Sequence, residues 1–336
     1  MRVARLHGPG DVRVADEPAP VAGPGEVLVR LRAVGICGSD LHWYDESAIG
    51  DAVLTRPLVL GHEAAGVIAD GRRAGQRVAI DPAVPCGTCA TCERGLGHLC
   101  PRVRFLGHGL NDGAMRELLA WPADRLVPLP DDVDDVAGAV LEPLGVAIHA
   151  VRLAGIRPGG RVAILGAGPI GLLLVQLARA SGATTVLATD RLAHRVVAAR
   201  TLGAIAELVT DGSERAALLA ATDGQGVDAA IEIAGDDDAI ATAIDLVRPG
   251  GTVVIAGIPT GDTSVITAST ARRKGLDLRF SRRMNRVYPQ AIALVRAGLV
   301  DAHAVVSARY DLGEAPTALA RAASRDANKV VVVSPA

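Results

Sequence analysis

The chain has 336 residues, 49% of them hydrophobic and 21% charged, with a formal net charge of −2. This length predicts two domains rather than one core, and the composition excludes a disordered chain. The near-neutral charge excludes a basic field for nucleic acid and gives no attraction to a membrane surface. The start, MRVARLHGPG, lacks the apolar segment of a secretion signal, and the apolar run around Ile170–Ala178 is too short to span a bilayer. Together these predict a cytoplasmic protein whose thiols stay reduced.

Residues 1–144 read as short strands broken by Gly and Pro. The stretches EVLVRLRAVGIC and HEAAGVIA suit β structure. Between them lies GICGSDLHWY, with Cys37, Ser39, His42, Trp43 and Tyr44. A lone Cys is most often a small buried hydrophobe. Cys37, however, is followed 25 residues later by His62 and Glu63 in LGHEAAG, also flanked by glycine. One thiolate, one imidazole and one carboxylate balance a divalent cation and leave a fourth position open, as in a catalytic zinc site.

The next segment, CGTCATCERGLGHLC, holds the other four of the five cysteines, Cys86, Cys89, Cys92 and Cys100. Reduced thiols at C-x2-C-x2-C-x7-C spacing suit a closed structural zinc site better than a disulfide-stapled loop. The acidic run DDVDD at 131–135 reads as a solvated loop and helix start, and a helical stretch from Glu142 to Leu153 follows.

From Arg161 the pattern alternates. RVAILGAGPIG joins a strand to Gly166, Gly168, Pro169, Ile170 and Gly171 in G-x-G-x-x-G spacing, and a helix follows. That context fits a dinucleotide pyrophosphate at a helix N-terminus. A second strand ends at Asp190, 22 residues after Gly168. An acid there accepts from the ribose hydroxyls and repels a 2′-phosphate, favouring NAD over NADP. Arg191 and Arg195 are the counter-signal, with Arg195 expected over the adenine or in solvent. Further strands are predicted at 206–210, 227–233, 251–257 and 276–280. Helices are predicted near 192–202, 213–222, 237–247 and 265–274. Six strands with interleaved helices imply a doubly wound parallel sheet. The strand end Gly257-Ile258-Pro259 is expected to line the cofactor crevice, with Ile258 at the cofactor.

These motifs carry a family resemblance. GICGSDLHWY, RPLVLGHEAAGVI, the four-cysteine lobe and LEPLGVAIHA resemble the zinc-containing medium-chain dehydrogenases, over essentially the whole chain. GHE followed by EPL looks like their polyol branch, with sorbitol, xylitol and L-idonate dehydrogenases; simple alcohol dehydrogenases carry Cys where this chain has Glu142. The resemblance implies an α/β protein. A β-rich GroES-like catalytic domain (1–144 and 281–336) would accompany a Rossmann domain (145–280), with the active site in the cleft between them. It implies two zinc ions per chain: one on Cys37, His62 and Glu63, with Glu142 close by and acting mainly through a water, the other on the four-cysteine lobe. It also implies NAD as hydride acceptor and Ser39 as proton relay, with His42 either passing the proton on or making a structural hydrogen bond. Matching SRRMNRVYPQAI to the branch puts Arg283 at the substrate, where it would meet a polyol or clamp a sugar acid. Trp43 and Tyr44 are expected to wall the pocket or to fill the core. Alternatives are an enzyme acting on L-idonate or L-threonine and, remotely, a non-catalytic NAD-binding redox sensor. A homotetramer or homodimer is expected.

Overall fold

The computed structural model describes residues 1–50, 52–259, 261 and 263–334. Two units emerge. One comprises Met1–Pro143, Tyr288–Arg296 and Ala302–Ala336; the other comprises Leu144–Val287 and Ala297–Asp301.

The first unit is built on a seven-stranded sheet. Its central strand, Glu26–Gly35, pairs with Glu63–Ile68 on one side and Lys329–Val333 on the other, and also with Leu118–Pro122. Val29, Leu31 and Val34 of this strand join Leu58, Ile68, Ile80, Met115 and Trp121 in a buried core. Antiparallel pairing sets Gly35 opposite Glu63 and opposite Val331. Register alone therefore brings the chain entering Cys37 beside His62–Glu63 and beside the C-terminal strand.

The second unit is a six-stranded parallel sheet. Its spatial order is Ile205–Leu208, Thr185–Asp190, Arg161–Leu165, Val227–Glu232, Val247–Ile255, Asp277–Phe280. Counted along the chain this is 3-2-1-4-5-6, the doubly wound arrangement whose switch point lies between the first and fourth strands. The strands predicted from alternation are present, with small shifts at their ends. The helix predicted to 247 stops at Leu246, because Val247 already pairs with Val227. The helix predicted from 265 begins at Ala268.

Among the described residues, one helix, Asp135–Ala154, is long and apolar overall, though charged at Asp135, Glu142 and Arg152; the apolar run around Ile170–Ala178 lies in the shorter helix Pro169–Ala180. The longer helix matches a membrane span in length and hydropathy, but 72% of that window is buried inside the fold, as befits a core helix. The acidic run does open this helix: the Asp134 carboxylate accepts from the Ala137 N–H at 2.8 Å, an N-terminal cap.

Candidate metal and cofactor sites

Cys37 ends the approach from the central strand and is the N-cap of the helix Gly38–Glu46. Asp40, at the third helical position, closes a capping box by accepting from the Cys37 N–H at 2.9 Å. Its other oxygen accepts from the Gly61 N–H at 3.1 Å and lies 3.5 Å from His62 Nδ1. Asp40 is completely buried. It orients the His62 ring so that Nε2 faces away from the carboxylate. The Cys37, His62 and Glu63 ligand atoms all lie within 4.8 Å of one another. Burial opposes a charged ring here, yet the Asp40 carboxylate and the Cys37 sulfur hold His62 well above its ordinary pKa. So negative a surrounding fits a cation.

Glu142 is buried but stands outside that three-donor group. Burial first, opposed by His62 and reinforced by Glu63, pushes its carboxyl up to about 7. Ser39 Oγ is 3.5 Å from His62 Nε2. His42 Nδ1 faces the Glu46 carboxylate one turn on, at 3.5 Å, with part of its side chain exposed. Trp43 belongs to the core, with 1% exposure, and Tyr44 packs against that core half-buried. The ring beside His62 is instead Phe105, with centroids 5.3 Å apart. His108 bridges from Phe105, at 6.4 Å, to Trp43, at 5.5 Å.

The four cysteines of the lobe are all free thiols and their sulfurs cluster. Cys89–Cys92, Cys89–Cys100 and Cys86–Cys92 are separated by 3.5, 3.9 and 4.0 Å. A zinc–sulfur bond of about 2.3 Å gives a tetrahedral edge of about 3.8 Å, so the spacing fits. The Thr88 N–H above all holds the Cys86 thiol down at about 5, while burial and then Cys89 push Cys92 up to about 11. Sulfurs this close ionise together only around a cation. Arg102 donates to Cys86 Sγ at 3.2 Å.

In the second unit the strand Arg161–Leu165 turns through Gly166, whose φ of +109° suits glycine, into the helix Pro169–Ala180 capped by Gly168. Pro169 occupies the first helical turn, where its missing N–H costs nothing, and Ile170 follows it half-buried. A Cβ on Gly171 would fall 2.0 Å from the Gly166 carbonyl, so only glycine lets helix and loop approach this closely. Asp190 accepts from the N–H groups of Ala167 at 2.8 Å and Leu192 at 2.9 Å. These bonds fix the acid at the mouth of the glycine loop. Arg195 Nη1 lies 3.8 Å from Asp190, and Arg191 pairs with Asp236 at 3.0 Å. Ile258 is half exposed at the end of the fifth strand. Arg283 is half-buried in the same unit, and it and Arg286 hold left-handed backbones, φ +57° and +52°. Such conformations cost about 1 kcal/mol or more each and gather at functional segments.

Residues 23–131 match the alcohol dehydrogenase GroES-like domain, and residues 169–297 match the zinc-binding dehydrogenase domain. The sorbitol dehydrogenase of Bacillus subtilis (strain 168) is 35% identical over 96% of this chain and 93% of its own length. The chain belongs to the zinc-containing medium-chain dehydrogenases. Among solved structures, L-idonate 5-dehydrogenase of Escherichia coli resembles this dehydrogenase with a TM-score of 0.89 at 30% identity, over 99% of this chain and 97% of that one. A protein of Sinorhizobium meliloti 1021 described as a zinc-binding dehydrogenase and bound to NADP has a TM-score of 0.89 at 34% identity, over 99% and 98%.

Sequence reasoning missed three groups in this dehydrogenase. Asp40 carried a faint signal, as the acid three residues after an N-cap. Glu232 is fully buried, and its carboxylate accepts from the N–H groups of Ala234 at 2.7 Å, Gly235 at 2.6 Å and Gly257 at 3.3 Å. It thereby ties together the ends of the fourth and fifth strands at the crevice. Lys329 ion-pairs with Glu63, across a separation no local pattern reports.

Proposed function

We propose that this dehydrogenase transfers a hydride between NAD and a secondary alcohol of a small polyol, giving a ketose. The observation that carries the reading is the convergence of Cys37, His62 and Glu63 within 4.8 Å, with a buried Glu142 rather than a second thiolate nearby. Cys37, His62 and Glu63 would hold the catalytic zinc, and Cys86, Cys89, Cys92 and Cys100 the structural one. Zinc supplies a Lewis acid that makes an alcohol proton easier to lose, and NAD supplies the hydride acceptor. Asp40 holds the His62 ring in register. Ser39, beside His62, accepts the proton and His42 hands it to solvent. Glu142, buried close to His62 and with its carboxyl held above the usual range by burial, offers a second proton acceptor.

On the cofactor side, Gly166, Gly168, Pro169, Ile170 and Gly171 receive the pyrophosphate at the helix N-terminus. Asp190 accepts from the ribose hydroxyls, which favours NAD; Arg195 lies beside it and Ile258 lines the crevice. The unit carrying the cysteines is read as catalytic and the parallel-sheet unit as cofactor-binding. A cytoplasmic homotetramer or homodimer acting on a small molecule, without nucleic acid or membrane as partner, completes the reading; four thiols gathered at metal-ligand spacing suit a reducing compartment.

Arg283 leaves a second substrate class open. An arginine donates to a diol but also clamps a carboxylate in bidentate fashion, so a sugar acid such as L-idonate is the competing substrate. NADH formation measured side by side with sorbitol, xylitol, galactitol, L-idonate and L-threonine separates these. Turnover of a neutral polyol above the others supports the proposal; preference for L-idonate makes Arg283 a carboxylate clamp; preference for L-threonine overturns the polyol assignment.

A further inference from the structure

Lysine is nearly absent from this chain: of 35 lysines and arginines, only Lys274 and Lys329 are lysine. Both bring a single nitrogen to three acceptors. Lys274 Nζ donates to the carbonyls of Ile244, Asp245 and Val247 at 2.9, 2.7 and 2.8 Å. Lys329 Nζ donates to the Ile36 carbonyl at 2.9 Å and to both Glu63 oxygens at 2.7 Å each. An ammonium directs three N–H bonds from one atom, whereas a guanidinium spreads its donors over a plane. In an arginine-dominated chain, lysine occurs where that compact geometry is required.

Lys329 and Glu63 are 2% and 0% exposed. Burying such a pair is a poor way to stabilise a fold, because desolvation offsets most of the attraction. What the pair does achieve is position. Ile36 adjoins Cys37 and Glu63 adjoins His62, so one nitrogen ties both donor-bearing segments to the C-terminal strand. On the other side the carboxylate is wedged against backbone: a Cβ on Gly35 would fall 2.1 Å from Glu63 Oε2. A carboxylate has about four lone-pair sites, so those bound to Lys329 leave others for a cation.

We propose that Lys329 is a positioning residue of the catalytic metal centre: its ammonium fixes the Glu63 carboxylate beside the Cys37 sulfur and the His62 ring, and offsets one of the negative charges gathered there. This rests on the reading of Cys37, His62 and Glu63 as zinc donors.

The test is zinc content and zinc release to a chelating dye, using the full-length zinc-loaded protein. Wild type should hold two zinc ions per chain and release them in two phases; a single zinc would retire the three-donor reading itself and this proposal with it. Lys329→Met should hold about one zinc, kept by the four cysteines. Lys329→Arg keeps the charge but not the three-acceptor geometry. It should hold two and release the one at the three-donor site about tenfold faster or more, the other phase staying unchanged. Two tightly held zinc ions in Lys329→Met, or wild-type release in Lys329→Arg, would overturn the proposal even if both variants melt earlier, because lowered stability is all that a core ion pair predicts. If Lys329→Met does not fold, the release rate of Lys329→Arg decides.

Discussion

Asp40 shows how much a single buried carboxylate can organise. It holds the Cys37 and Gly61 amides and faces His62 Nδ1. Burial alone would lift its carboxyl, but His62 and the two amides hold it below the usual range. Asp40→Asn turns one acceptor into a donor facing a donor. The expected result is a loss of about 1–3 kcal/mol in denaturant unfolding. Zinc titration should show about 10- to 100-fold weaker binding at the three-donor site, as for other groups that orient a metal-binding histidine. Ser39→Ala tests the relay: kcat should fall about 100-fold while zinc content stays at the wild-type value. At this scale the sequence was partly legible. Cys37, His62 and Glu63 announce themselves by residue type and flanking glycines. Lys329 does not, because its partner lies 266 residues away and only sheet register joins them. Trp43, offered as a pocket wall or a core residue, lies in the core, and Phe105 is the ring that meets His62.

Among the elements, the glycine loop and its helix make the strictest demand. Gly171→Ala would drive a methyl into the Gly166 carbonyl and open the turn that the cofactor pyrophosphate needs. Fluorescence titration should show NADH binding weakened by about tenfold or more, with zinc content untouched. Unchanged affinity would mean that the loop does not carry the pyrophosphate. The parallel strands were legible because buried strands read as apolar runs punctuated by glycine. Their ends were less so: whether Val247 closes a helix or opens a strand is decided by pairing with Val227. The helix Asp135–Ala154 was visible only from Glu142 onward, since its first turn is acidic and reads as solvated until Asp134 is seen capping it.

For the whole molecule, a β-rich unit with clustered metal donors and a doubly wound unit with an acid at its second strand end imply one chemistry, zinc-assisted hydride transfer to a dinucleotide. The most direct measurement of that claim is NADH formation from sorbitol or xylitol by protein stripped of metal and then reloaded with zinc. The account predicts no NADH from the stripped protein, with activity returning in step with zinc to two ions per chain. Undiminished NADH formation by the stripped protein, or no turnover of any polyol by protein holding two zinc ions, would contradict it.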